Sequence, residues 1–535
     1  MVSVDPKSAD IAKSSSGEIM RQVMNPQPEL GSVDIGTIEL NLKSRDDIPH
    51  ILLGLQYIYT NETLREEVFT ILEQVKPKRS GKGLTEAEKE QPVSSDRGRP
   101  GMEQWKILVL GTLYLGLNTD YDRICELANE HKTIRKFLGH SGWLEAEEKP
   151  YHLQTLKDNL SHFTVEIYDQ INQAVIKAGH TLVKKSPNGG PTAANEAAEP
   201  LYARIDSFVV ETDVHFPTDL NLLYDAVRKA ITESHTLAET CGLPGWRQYQ
   251  HNINTFRRQY RKVQTIKRSN AKDEQKKAAK DKELEKEILA YLHQALDYMD
   301  RSVKTMNQAL KMDIMPFHVA KLQEYQGYIQ LLQDQIYRRT LLGEKIPHQE
   351  KIFSIFEPHT EWISKGKAGV PVELGVRVAI VEDQHRFILH HQVMQQLTDE
   401  KIAVSITEEA LRRFPNIKGV SFDKGFHSKQ NQIDLASLVD QVTLPKKGKC
   451  NEDEQKRESS DSFKQHRRQH SAVESAINAL EHNGLDKCRA HGIEGFKRYV
   501  ALAVVSRNIK RLGQIIRQQA IEKEKRRRGP YKKSA

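Results

Sequence analysis

Apolar positions along the chain repeat with two different periods. Residues 1–45 are polar and patternless and are expected to be mobile. Residues 46–76 repeat at helical spacing, with Thr60 or Asn61 available as a cap before Leu64. A Gly/Pro/charge-rich linker over 77–100 follows. Compact helices are then predicted in MEQWKILVLGTLYLGL, TDYDRICELANEH and TIRKFLG, and a longer amphipathic one in LQTLKDNLSHFTVEIYDQINQAVIKAG. SPNGGPTAANEAAEP is a connector. The period then changes. LYARIDSFVVE, residues 201–211, is rich in β-branched and aromatic residues, lacks Gly and Pro, and predicts a strand. More than a hundred helical residues follow: LNLLYDAVRKAITESHTLAE, a lysine-rich pair of helices expected to lie antiparallel, and AKLQEYQGYIQLLQDQIYRRTLLG.

Strand patterns return at residue 351 with IFSIF. VELGVRVAIVE and RFILHHQV form a hairpin around Asp383-Gln384. ITEEALRRFP is a short helix, NIKGVSFDKGF a strand, NQIDLASL a helix and VDQVTLPKKG a short strand. A last helix contains SAVESAINALEHNG. Setting the helical block aside, this order predicts an α/β fold: a mixed sheet flanked by helices, of the ribonuclease H type. The predicted units are a partly disordered and helical region with its linker (1–97) and a helical, DNA-binding region (98–184). The catalytic domain is split (200–223 and 351–515) by an all-α insertion (224–350) after its first strand. A basic tail (516–535) closes the chain. The short helices of 98–184 suit a helix-turn-helix unit, and equally an ordinary bundle. The lysine-rich insertion suits a solvated face, or an arm that tracks DNA or self-associates.

Composition narrows the partners. The 535 residues are 38% hydrophobic and 28% charged, with a formal net charge of +8 and a pI near 8.9. A basic balance favours an anionic partner such as nucleic acid. Cys125, Cys241, Cys450 and Cys488 are too scattered for a CxxC zinc site or a disulfide framework. The longest apolar run, 107–117, is short of the ~20 residues of a membrane helix. No secretory signal pattern precedes it, so a cytoplasmic, nucleoid-associated protein without a membrane partner is expected.

The chemistry rests on acids. Asp206 interrupts an apolar strand, and a buried ionised carboxylate demands a partner or a metal. Asp423 ends the strand IKGVSF, where ligands of open α/β sheets gather. Glu474 lies on the helix after the last strand. If the two strands are neighbours and the helix crosses them, three hard oxygen donors meet. They suit Mg²⁺ or Mn²⁺, as two ions, better than Zn²⁺. Each acid also has an ordinary explanation. Asp206 would pair with Arg204. Asp423 would open a turn before Lys424-Gly425. Glu474 would close a capping box with Ser471, or else sit mid-helix in one helix from near Ser462 to Gly484, with Val473, Ile477 and Leu480 as its apolar stripe.

The segments ARIDSFVVETDVHFPTDLNLLYDAV, GVSFDKGFHS and RRQHSAVESAINALEHNGLDKCRAHGIEGFKRYVALAVVSRNIKRLG resemble the core of bacterial insertion-sequence DDE transposases of the ISNCY type. GRPGMEQWKILVLGTLYLGL is similar to the N-terminal region of the same enzymes, and the likeness spans most of 98–515. It implies a ribonuclease H-like catalytic domain whose Asp-Asp-Glu triad is Asp206, Asp423 and Glu474, with Asp213 and Asp219 competing for the first place. It further implies metal-dependent cleavage at transposon ends, strand transfer into target DNA, and a homodimer or larger synaptic complex on double-stranded DNA. Many members of this broad group carry Tyr and Arg before the glutamate and Lys beyond it. Here Arg467, His470 and Glu481 stand there. Arg467, Arg468 and His470 are then expected to grip a phosphate, Lys487 or Arg489 to replace the lysine, and Lys446, Lys447 and Lys449 to hold flanking DNA. A nuclease without strand transfer and an inactive DNA-binding scaffold are the competing expectations.

Overall fold

The computed structural model describes residues 22–24, 32–75, 101–140, 150–184, 199–270, 273–312, 316–364 and 371–528. The expected linker and most of the 186–200 connector lie outside them. The chain opens with helices α1 (Asp47–Thr60) and α2 (Glu62–Glu73). Between them Asn61, rather than Thr60, is the cap, accepting from Leu64 N at 3.0 Å. Residues 32–45 depart from the expected mobility. Ile35 and Ile38 are buried, and Gln56 Nε2 donates to the carbonyls of both at 2.8 Å.

Helix α3 (Gln104–Gly116) is apolar on all sides and accordingly buried at every position except Lys106. Helices α4 (Tyr121–Glu130), α5 (Lys132–Phe137), α6 (Leu153–Leu160) and α7 (Val165–Lys184) complete the N-terminal region. Strand β1 (Leu201–Thr212) follows, and then the four helices of the insertion: α8 (Asp219–Cys241), α9 (Tyr249–Arg268), α10 (Glu274–Leu310) and α11 (Pro316–Leu341). These helices have a core of their own, in which Phe256 stacks between Tyr224 and Tyr291 at 6.0 and 4.7 Å. Helices α9 and α10 are antiparallel, fastened by Gln259 and Lys262 to Glu287.

The remaining elements are β2 (Glu361–Ser364), β3 (Val372–Glu382), β4 (Ile388–Met394), α12 (Asp399–Arg413), β5 (Ile417–Phe422), α13 (Lys429–Leu438) and β6 (Gln441–Thr443). After them come α14 (Glu452–Ser459), α15 (Asp461–His470), α16 (Ala472–Leu480), β7 (Lys487–Cys488) and α17 (Gly492–Arg528). The IFSIF run is not a strand. Its Ile355 is drawn into the insertion's core, and the strand forms later, at Glu361–Ser364. The expected basic tail is the continuation of α17 as far as Arg528.

The seven strands among the described residues form one mixed sheet, whose main path runs β2-β3-β1-β5-β6. The far side of β3 is shared by β2 and β4. The far side of β1 is shared by β5, which pairs in parallel with Leu201–Ile205, and by β7, which pairs with Glu211 and Thr212. Alternation gives β1 two faces. Leu201, Ala203 and Ile205 point into a core with α12 and α13. On the opposite face Phe208 and Val210 join a second core, built from the N-terminal helices, β3 and α17. Helices α3 to α7 thus share one apolar core with the sheet.

Helix α17 is the spine of that core. It meets α1 backbone to backbone: a Cβ on Gly54 would lie 2.1 Å from Ile509 O, and one on Gly513 1.9 Å from His50 O. Buried Asn508 ties α17 to the sheet. Its Oδ1 accepts from Ile388 N at 3.0 Å, and its Nδ2 donates to Ile388 O and Asn172 Oδ1 at 2.9 and 2.6 Å.

Candidate active site

The register of β1 and β5 positions the first two acids. Ile205 is aligned with Phe422, the last residue of β5. Asp206 and Asp423 are the next residue on each side, Asp423 lying just past the end of β5. Both belong to the face of Tyr202, Arg204, Gly419 and Ser421. Among the described residues no strand covers this side of β1 between Ile205 and Glu211, so the sheet opens at Asp206.

Helices α15 and α16 cross this face. They do not form the single helix expected: the chain bends at Ser471, so that Glu474 falls in the first turn of α16. The capping box with Ser471 is absent. The Ser471 hydroxyl donates backwards to Arg468 O at 2.8 Å and makes no cap bond. Val473, Ala476 and Leu480 are buried, while Glu474 and Asn478 are exposed. Gly484, with φ at +92°, ends the segment, as a left-handed residue does at a helix terminus.

The three acids meet electrostatically at Asp206. Burial pushes its carboxyl up to about 6, and the carboxylates of Asp423, Asp399 and Glu474 push the same way. The Ser207 N–H, donating to Asp206 Oδ1 at 2.8 Å, opposes them. Arg204 is not the partner of Asp206. Its guanidinium donates to Asp383 O at 2.5 Å and lies 3.4 Å from Glu382 Oε2. Asp423 does begin a turn, but its side chain caps nothing and is exposed. The two competitors for the first acid are both spent in ion pairs, Asp213 with Lys487 and Asp219 with Arg339, each at 2.6 Å.

The expected basic residues divide. Arg467 and Arg468 are exposed on α15, and Lys447 and Lys449 are exposed in the loop after β6. Lys446 is turned inward, its ammonium bonded to Glu454 and its N–H to Glu458 Oε1 at 2.7 Å. Lys487 is held by Asp213 at the end of β1. Arg489 clamps the α3–α4 turn, donating to Thr119 O at 2.5 Å and Asn118 Oδ1 at 3.3 Å. His470 Nδ1 lies 3.0 Å from Ser421 Oγ. Burial lowers its pKa to about 4 despite the nearby Asp423, so it presents a neutral imidazole at neutral pH.

Sequence reasoning missed Asp399. It begins α12 beneath the sheet and accepts from Ser207 Oγ at 2.6 Å. Acids in a first helical turn are common because they complement the helix dipole, so nothing in the sequence distinguished this one. Beside the acids opens a cleft of about 480 Å³, floored by Tyr202, Arg204, Gly419 and Ser421 and flanked by Gln465 and Gln469.

Among the described residues, no three His, Cys, Asp or Glu side chains close into a ready-made metal cage. The donor set still fits a hard divalent cation. It consists of carboxylate oxygens, and burial first, with the neighbouring carboxylates after it, raises the Asp206 carboxyl. Among the described residues no helix is long and apolar enough to cross a membrane. Comparisons with protein-family models, with curated proteins and with solved structures find no match.

Proposed function

We propose that this chain is a DDE-type transposase, cutting DNA at the ends of a mobile element and joining those ends to a target. One observation carries the reading. Asp423 and Glu474, each more than two hundred residues further along the chain, both act on Asp206 at an open point of the sheet. The sheet supports it. Three antiparallel strands β4-β3-β1 are continued by parallel β5 and β6 with α12 and α13 as crossovers, an order compatible with the ribonuclease H-like core proposed here. In this reading the four-helix insertion falls between its first two strands.

Asp206, Asp423 and Glu474 would hold divalent cations, Mg²⁺ or Mn²⁺, which when bound supply a lowered nucleophile pKa and neutralisation of charge building on the phosphate. Asp206 is the fixed member, oriented by the Ser207 N–H. Asp423 and Glu474 approach it from a strand end and a helix face. His470 is neutral and anchored to Ser421, so it adds a polar ring without adding charge. Arg467 and Arg468 are placed to contact phosphates beside the cleft. Joining two ends demands two active sites, hence an assembly of at least two copies on double-stranded DNA.

A strand-transfer assay on labelled DNA bearing the repeats that flank the coding region tests the reading. Mg²⁺-dependent cleavage with joining supports it. Cleavage without joining makes the chain a nuclease, and binding alone makes it a scaffold.

A further inference from the structure

Helix α9 of the insertion carries six Arg and Lys residues, and its 20 residues include no Asp or Glu. One side of it is fixed in the insertion's core through Phe256 and Val263. At 100° per residue, Arg257, Arg258, Arg261, Lys262 and Arg268 fall within an arc of about 140° on the other side. All five are exposed. Lys262 is satisfied by Glu287 at 2.7 Å, whereas the four arginines make no ion pair among the described residues. The neighbouring stretch of α10, residues 274–287, offers no compensation: its five acids are matched by five lysines of its own. The arginines extend over about 17 Å of helix, which corresponds to about five base pairs of duplex.

We infer that this face of α9 is a docking surface for the phosphate backbone of double-stranded DNA. The inference rests on the transposase reading and assigns the insertion a task within it: to hold duplex away from the acids. Arginine suits that task, since its planar fork bonds phosphate oxygens in pairs. The residues interspersed in the arc, His251, Asn254 and Thr265, are polar. The arc therefore lacks the exposed aromatic or aliphatic anchor around which protein interfaces are organised. A straight row of unpaired guanidinium groups fits a backbone read without regard to base sequence.

The test compares the full chain with two quadruple variants at Arg257, Arg258, Arg261 and Arg268, one all Arg→Gln and one all Arg→Lys. Both replacements are good helix formers at exposed positions, and circular dichroism checks the fold. Affinity for a random 30-base-pair duplex is measured from 50 to 300 mM KCl. The glutamine variant should flatten the log–log salt slope by about 3 to 4, and the lysine variant should restore it. An unchanged slope in the glutamine variant, while the parent binds and cleaves, overturns this inference and spares the transposase reading. If the parent neither binds duplex nor cleaves, both fall. A glutamine variant with parental DNA binding but altered mass in light scattering would make α9 a self-association face and also overturn the inference.

Discussion

Replacing Asp206 by asparagine measures the cost of burying a carboxylate beside other acids. In the folded chain the carboxyl titrates at about 6, against 3.8 when unperturbed. At 1.36 kcal/mol per unit, the difference amounts to about 3 kcal/mol. This is an upper bound, because water reaches the open side of the site. The folded-state value lies above the unfolded one. The group's contribution is therefore complete below pH 3.8 and is lost as pH rises through 6. Asparagine keeps the acceptor for the Ser207 N–H and removes the charge. In EDTA, Asp206→Asn should match the parent near pH 4 and exceed it at pH 7.5, by a few degrees in the melting transition of the sheet region. Millimolar Mg²⁺ should then stabilise the parent and leave the variant unmoved. A variant that melts with the parent at every pH, or is less stable at pH 7.5 in EDTA, would refute the idea that burial and neighbouring acids disfavour the Asp206 carboxylate.

Other outcomes follow from the same geometry. Asp423→Asn and Glu474→Gln should each lower DNA cleavage by about 10³-fold or more, with duplex affinity in a mobility-shift assay unchanged. Lys446→Ala should leave the salt dependence of DNA binding as it is, since that ammonium is spent on Glu454, whereas a Lys447→Ala, Lys449→Ala double variant should flatten the slope by up to about 2. Asn508→Leu strands the buried Ile388 N–H and should destabilise the chain by about 2 kcal/mol, read by denaturant unfolding. Gly513→Ala forces α17 away from α1 and should cost about as much or more by overpacking.

Much of the fold was legible because its elements obey simple periods. The β-branched and aromatic content of LYARIDSFVVE and the hairpin pattern of VELGVRVAIVE marked the central strands. Asp206 and Asp423 could be singled out because each breaks an apolar strand or ends one. What stayed hidden depends on contacts between distant segments. IFSIF has a strand's composition, yet Ile355 finds a better site in the insertion's core than on a sheet edge. The bend at Ser471 breaks no propensity rule, since Ser471 keeps helical backbone angles, and only packing across β1 and β5 reveals it. Lys446 reads as one of three equivalent lysines, and its withdrawal depends on Glu454 and Glu458 folding back over it. Asp399 stayed hidden because a helix start already explains an acid.

The central claim, that Asp206, Asp423 and Glu474 together hold divalent cations, is tested most directly by titrating the metal-free chain with Mn²⁺ and counting bound ions by electron paramagnetic resonance. The parent should bind Mn²⁺ in competition with Mg²⁺, and Asp206→Asn, Asp423→Asn and Glu474→Gln should each weaken or abolish that binding. Parental Mn²⁺ occupancy in all three variants would contradict the account.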